Sequence, residues 1–216
     1  MYVRNIMQKD VMTITSDCKI NEALSIMDKN KLHRLPVVAG NKLIGLITEG
    51  MIAEHTPSKA TSLSIHEMNY LLSKMTVSEI MVRDVITVSQ DTLLENAAQK
   101  MRDNDIGCLP VVTKDNTLIG IITISNLVDS FINMIGLTSS GVRYEIDIID
   151  DKVGVLADIT AIFAAEGINL LRVSVSQNDG NYVIIVLTTT TEVKDVEKKL
   201  KERGYIIRAK HVYKKT

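Results

Sequence analysis

The sequence predicts an α+β protein: two βαββα units packed as a pair, followed by a smaller βαββαβ domain. Three observations carry that prediction. They are an internal repeat, the same order of helical and strand periodicities in both copies, and a change of pattern after Gly136. Residues 3–38 align with residues 77–112 at 14 identities in 36 positions, and Leu43-Ile-Gly-Leu-Ile-Thr48 matches Leu118-Ile-Gly-Ile-Ile-Thr123 at five of six. A spacing of about 74 residues is too long for a solenoid unit, so the chain carries two copies of one small unit. Two copies packed with pseudo-twofold symmetry create paired clefts between them, a geometry suited to holding a small ligand.

Within each copy the elements follow in order. Asp17 and Asp91 stand where helix N-caps are expected, ahead of Ile20, Ala23, Leu24 and Met27 and of Leu94, Ala97, Ala98 and Met101 at helical spacing. Leu35–Val38 and Leu43–Ile47 read as two strands joined by a tight turn at Ala39-Gly40-Asn41. A second helix follows Thr48, and its counterpart follows Thr123. The repeats are assigned to residues 1–54 and 77–136. Between them, residues 55–76 hold a capping box, Ser64 to Glu67, before Met68, Leu71 and Leu72, which predicts a helix there. Residues 137–141 are small and polar, a linker. Residues 142–216 then give a strand at Tyr144, Ile146 and Ile148 and a helix at Val155, Ile159, Ile162 and Phe163. Strands at 168–176 and 182–187 flank the turn Asn178-Asp-Gly180. A helix at Val193, Val196 and Leu200 and a last strand at 205–213 complete the order βαββαβ, a ferredoxin-like sandwich.

Composition excludes several function classes. The chain has 216 residues, 45% hydrophobic and 24% charged, with two Phe and no Trp, which describes an aliphatic, water-soluble protein with room for two cores. A net charge of −1 without a basic stripe argues against nucleic acid. Cys18 and Cys108 occupy non-equivalent positions and form no CxxC pair, so they read as small apolar residues in a reducing compartment. Residues 118–137 carry one charge, Asp129, but Thr123, Ser125, Asn126, Ser130 and Asn133 interrupt them. A buried strand plus an amphipathic helix is expected there rather than a membrane span. The first residues lack a signal peptide's apolar stretch, and a cytoplasmic location follows as an expectation. Catalysis finds little support. His33, His55, His66 and His211 are scattered without metal-ligand spacing, GxSxG, P-loop and GxGxxG motifs are absent, and Asp150-Asp151 sits in a turn.

The repeated pairing of a Leu-Pro-Val-Val strand with a Gly-Leu/Ile-Ile-Thr strand resembles tandem CBS domains, a Bateman module. Ile149-Asp-Asp-Lys-Val-Gly-Val-Leu156, followed by Gly167-Ile-Asn-Leu170, resembles an ACT domain. The order CBS, CBS, ACT is similar to the AcuB-type acetoin utilisation proteins of bacteria. The resemblance implies regulation: CBS pairs bind adenosine-containing ligands such as AMP, ATP, S-adenosylmethionine or cyclic di-AMP, and ACT domains bind amino acids at subunit interfaces. It also implies a regulated enzyme as partner.

Candidate site residues follow from the residues and the resemblance together. Thr48 and Thr123 each end a strand and begin a helix, where a hydroxyl and free backbone N–H groups converge; they serve as simple N-caps or as a site for a phosphate or ribose oxygen. The family places an Asp three residues later, and here Met51 and Asn126 stand there, so the two clefts are expected to be unequal. His33-Arg34 before the Pro36 strand resembles a pair that reaches a nucleotide phosphate, though both could be solvated residues at a helix end. Family geometry implies one well-equipped cleft of Val11, Met12, His33, Arg34, Pro36, Thr123 and Asn126. It implies a poorer one of Thr48, Ile86 and Gly107, with Met51 and Cys108 beside them. In the last domain Gly154 and Asn169 occupy the family's ligand loop, where Gly154 could equally serve the turn alone and Val153 replaces the family's frequent Pro. Three readings stay open: a ligand-sensing regulator, a ligand-independent interaction module, and a small enzyme with a cryptic site. Apolar residues in excess of one helix face at 124–135, and exposed sheet edges expected at 205–213 and 183–187 in the last domain, predict a homodimer.

Overall fold

Secondary structure and packing come from a computed structural model, which describes residues 1–55, 72–135, 140–178, 181–193 and 195–214. By contacts the chain divides into residues 1–128 and 129–216. In the first unit, helix α1 (Ile20–Asn30), the hairpin β1 (Arg34–Ala39) and β2 (Lys42–Thr48), and helix α2 (Glu49–His55) form one copy. The short α3 (Val77–Ile80), α4 (Leu94–Asp103), β3 (Cys108–Val112), β4 (Leu118–Thr123) and the start of α5 (Ile124–Ile135), whose residues from 129 on count with the second unit, form the other. Each hairpin is antiparallel, with a bulge at the same place, Val37/Val38 and Val111/Val112. The predicted first strand of each copy reduces to one parallel bridge, Ile14 to Val37 and Val88 to Val111.

The helix starts differ from expectation. The N-caps are Lys19 and Leu93, two residues later than Asp17 and Asp91. Both carboxylates are taken elsewhere: Asp91 pairs with Arg4, and Thr15 donates a side-chain hydrogen bond to Asp17, which lowers the pKa of its carboxyl. The capping box at Ser64–Glu67, most of the 137–141 linker and the tip of the 178–180 turn lie outside the described residues.

Opening segments are exchanged between the copies. Val3 is buried with Leu94, Ala97, Met101, Leu109 and Ile122 of the second copy. Val77, Ile80 and Met81 are buried with Ile20, Ala23, Met27, Leu35 and Ile47 of the first. Backbone pairing secures both exchanges. Gln8 and Ile121 trade two hydrogen bonds at 2.9 Å each, and Leu46 and Val82 do the same at 2.9 and 3.0 Å. The segment that follows each bridge is thereby laid along the other copy's hairpin, which builds the clefts.

The second unit holds β5 (Gly141–Ile148), α6 (Val155–Ala165), β6 (Leu170–Asn178), β7 (Asn181–Thr188), α7 (Val196–Glu202) and β8 (Ile206–Tyr213). Its sheet runs β6-β7-β5-β8, all antiparallel. Val142, Tyr144, Ile146 and Ile148 alternate into a core with Ile159, Phe163, Val196 and Leu200. The expected edge at 183–187 is corrected: β7 is interior, paired on both sides, with Val183 and Leu187 buried, and the free edges belong to β6 and β8. Among the described residues no helix is long and apolar enough to cross a membrane.

Candidate functional site

The first unit contains two clefts related by the repeat. One, of about 370 Å³, is lined by Val11, Met12, His33, Arg34, Pro36 and Thr123, together with Gln8, Lys31 and Ser125. The other, of about 550 Å³, is lined by Thr48, Met51, Ile86, Gly107 and Cys108, together with Glu49, Asp84 and Asp105. Each is assembled reciprocally: the segment after one copy's exchanged bridge and the residues before its Pro strand meet the helix-start Thr of the other copy.

Both threonines cap the helices they begin. The Thr48 hydroxyl accepts the Met51 N–H at 3.2 Å. Thr123 and Asn126 make a reciprocal set: the Asn126 carboxamide oxygen accepts the Thr123 N–H and hydroxyl, each at 2.9 Å, and the Thr123 hydroxyl accepts the Asn126 N–H at 3.3 Å. Asn126 is therefore turned onto its own helix start and is not among the residues lining the 370 Å³ cleft.

Arg34 lines the Thr123 cleft, as the sequence suggests, and the other cleft as well. In the hairpin register it stands directly opposite Thr48, and directly opposed side chains share a face. Its guanidinium reaches toward the second copy, so that a Cβ on Gly107 would lie 2.8 Å from Nη1. Arg34 and His33 line both clefts, and the guanidinium leans into the larger one. No carboxylate among the described residues forms an ion pair with Arg34, whereas His33 Nδ1 lies 2.7 Å from Glu49 Oε2. An unpaired guanidinium at a cleft wall is a donor fork available to an anion. Lys31, Glu49, Asp84, Asp105 and Ser125 were missed in the sequence. The Asp10/Asp84 equivalence in the repeat was the one available signal.

In the second unit Gly154 is the N-cap of α6 at φ +100°, with open space where a Cβ would stand. Asn169 is exposed, and its carbonyl accepts the Thr189 N–H at 3.0 Å. Ile149 and Val153 in the same loop are strongly exposed apolar residues. A cavity of about 490 Å³ in this unit, between α6 and α7, is lined by neither Gly154 nor Asn169. Of its charged residues, Asp158 pairs with Arg203 at 2.6 Å, while Lys199 and Glu202 pair with Glu166 and Lys198, which do not line it. Among the described residues no group of three or more metal-ligating side chains is found.

Comparison with known proteins gives the following. The family model for the CBS domain matches residues 3–57 and 77–133, and that for the ACT domain matches residues 145–204. A homoserine O-acetyltransferase of Methanohalobium evestigatum is 35% identical over 134 residues, 60% of this chain and 24% of that enzyme. The chain thus spans about a quarter of the length of that relative. A CBS domain-containing protein of Dictyostelium discoideum is 33% identical, over 62% of this chain and 92% of that one. Among solved structures, an acetoin utilization protein (AcuB) from Vibrio cholerae is similar at TM-score 0.54 and 29% identity, covering 63% of this chain and 94% of that one. The CBS domain pair of protein MJ0100, in complex with 5′-methylthioadenosine and S-adenosyl-L-methionine, matches at TM-score 0.50 and 31% identity, covering 61% and 99%. CBSX2 in complex with AMP matches at TM-score 0.51 and 25%, covering 61% and 96%.

Proposed function

Because the chain belongs to the CBS domain family, with two copies followed by an ACT domain, we propose that it is a regulatory protein that senses an adenosine-containing ligand in the clefts between the copies. The observation that carries this reading is the reciprocal assembly of both clefts, each with a helix-start Thr, an apolar wall and access to Arg34, which forms no ion pair among the described residues. Two similar CBS pairs that hold AMP, or 5′-methylthioadenosine and S-adenosyl-L-methionine, support it. In the 370 Å³ cleft, Val11 and Met12 would flank the adenine while Thr123, Ser125 and Lys31 receive the ribose and phosphate end. Because each cleft joins elements of both copies, a ligand that prefers one packing of the copies would shift the equilibrium between packings, which is the requirement for coupling to a distant readout. An amino acid and a second chain would cover the ACT domain at the loop of Ile149, Val153 and Gly154, a reading supported by the exposure of those two apolar side chains. A regulated enzyme is the natural recipient of the signal, and no residue of the chain is given a catalytic role.

Isothermal calorimetry of the full chain with AMP, ATP, S-adenosylmethionine and 5′-methylthioadenosine tests the reading. Saturable binding of at least one, lost when both Thr48 and Thr123 are replaced by Ala, is the expected result. Absence of binding by every adenosine compound would leave the ligand-independent interaction module as the better account.

A further inference from the structure

We propose that the two clefts sort ligands by charge, the Thr48 cleft taking an adenosine compound whose 5′ substituent is neutral or cationic and the Thr123 cleft a phosphorylated one. This rests on the reading that the pair binds adenosine compounds, and adds which kind each cleft accepts. The repeat supplies its own control, because equivalent positions can be compared across the two walls. Asp10 and Asp84 are equivalent and of the same sign. Lys31 lines the Thr123 cleft where its equivalent, Asp105, lines the Thr48 cleft. Beside Thr48 the wall adds Glu49, whereas the equivalent residue after Thr123 is the apolar Ile124.

The sum differs in sign. Arg34 and His33 belong to both walls, so they cancel in the comparison except for where the guanidinium leans. Setting aside His33, whose Nδ1 lies 2.7 Å from Glu49 Oε2, the Thr123 cleft sets Lys31 and Arg34 against Asp10, and the Thr48 cleft sets Arg34 against Glu49, Asp84 and Asp105. Arg34 lies against Gly107 in that cleft and offsets one of the three carboxylates without reversing the sign. The Thr48 cleft is also the roomier, about 550 against 370 Å³, and Val85, Ile86 and Met51 give it an apolar floor. A dianionic phosphate entering it meets like charge at short range, a repulsive element that rejects one ligand class while leaving the nucleoside itself welcome. An ammonium or sulfonium at the same place meets the carboxylates as counter-ions.

Three probes that differ only at the 5′ position test the proposal: adenosine, 5′-amino-5′-deoxyadenosine and AMP, titrated calorimetrically into the full chain. AMP is expected to fill one site per chain, and the amine a second site that AMP leaves open, so that the two bind additively. The amine should bind there at least tenfold more tightly than AMP, with an advantage that shrinks as salt rises from about 20 mM to 300 mM because screening shortens the reach of the carboxylates. Combining Glu49→Gln, Asp84→Asn and Asp105→Asn, which are isosteric changes at solvated positions, should cost the amine at least tenfold and raise the AMP stoichiometry to two. Equal filling of both clefts by AMP in the unaltered chain would overturn the proposal. So would mutual displacement of amine and AMP from one common site. If none of the three probes binds, the adenosine reading itself falls, an outcome distinct from binding without charge selection.

Discussion

Arg34 and Asp115 show what single residues contribute. Arg34 sits at the start of β1, opposite Thr48, free of any ion pair among the described residues and in reach of both clefts. Replacing it by Ala removes a charge-assisted donor fork, so AMP affinity should fall by about 1.5–3 kcal/mol, read by calorimetry. Arg34→Lys should recover only part, since an ammonium cannot bond bidentately. Unchanged affinity in Arg34→Ala would remove it from the binding machinery. Asp115 joins the two copies at their hairpin tips: its carboxylate takes Lys42 of the other hairpin together with Thr113 and Thr117, and these partners hold it far below the usual carboxylate range. A carboxylate whose folded pKa is depressed adds stability above its unfolded value near 4, and that stability is lost as pH falls below it. The melting temperature should therefore decline less steeply between about pH 4 and pH 2 in Asp115→Asn than in the parent chain. Because the pair is solvated, the difference in slope should be small.

At the scale of elements, the exchanged segments depend on two equivalent glycines. A Cβ on Gly45 of β2 would lie 2.5 Å from Met81 Sδ and 3.0 Å from the Val82 carbonyl. On Gly120 of β4 it would lie 2.8 Å from Met7 Sδ and 3.1 Å from the Gln8 carbonyl. Glycine is needed at both because the partner copy's backbone passes directly over the strand. Gly45→Ala and Gly120→Ala should each lower stability by about 1–3 kcal/mol in urea unfolding, the range for overpacking a filled site. Their effects on binding should be crossed. Gly45→Ala displaces the segment carrying Asp84, Val85 and Ile86, and so should weaken the Thr48 cleft. Gly120→Ala displaces Asp10, Val11 and Met12, and so should weaken the Thr123 cleft. A variant that weakened both clefts equally would show that the segments are not positioned separately. Helix α5 makes a further point. Ile124, Val128, Phe131 and Met134 form an exposed apolar stripe, with Phe131 61% accessible, which is more than a water-facing helix ordinarily carries.

For the whole molecule, the stripe on α5 and the free edges of β6 and β8 are the surfaces a second chain would cover, and closed twofold pairing is the commonest way to do so. Light scattering at micromolar concentration should give about twice the 24.0 kDa chain mass, and Phe131→Glu should shift the population toward single chains. A stable monomer at all concentrations would count against the pairing. Ligand binding should also register globally. At about 100 times its Kd, a ligand selective for the folded state adds roughly 2.7 kcal/mol, visible as a rise in the melting transition of the first unit. Adenosine compounds should raise that transition and leave the second unit's unchanged, whereas an amino acid bound near Gly154 should do the reverse.

The repeat, the strand pairs Leu35–Val38 with Leu43–Ile47 and their later copy, and the βαββαβ order after residue 141 were legible in the sequence, because they rest on local periodicity and on self-similarity, both of which a chain carries linearly. The threonines at the strand-to-helix junctions were legible for the same reason. The helix starts were missed by two residues because Asp17 and Asp91 found partners, Thr15 and Arg4, that no capping rule anticipates. β7 was taken as an edge because only its hairpin neighbour β6 is local, whereas β5 on its other side comes from a distant part of the chain. By itself the sequence determined which small units form and which residue types crowd the junction between them. Only the tertiary structure decided that Val3 and Val77 are buried in each other's copies, that Asn126 turns onto Thr123, and that the Arg34 guanidinium leans toward Gly107. It also brought Asp105, Asp84 and Glu49 to one wall and Lys31 to the other. Those are long-range contacts, set by how two similar surfaces satisfy their backbone hydrogen bonds and exclude water together, and nothing in local periodicity encodes them.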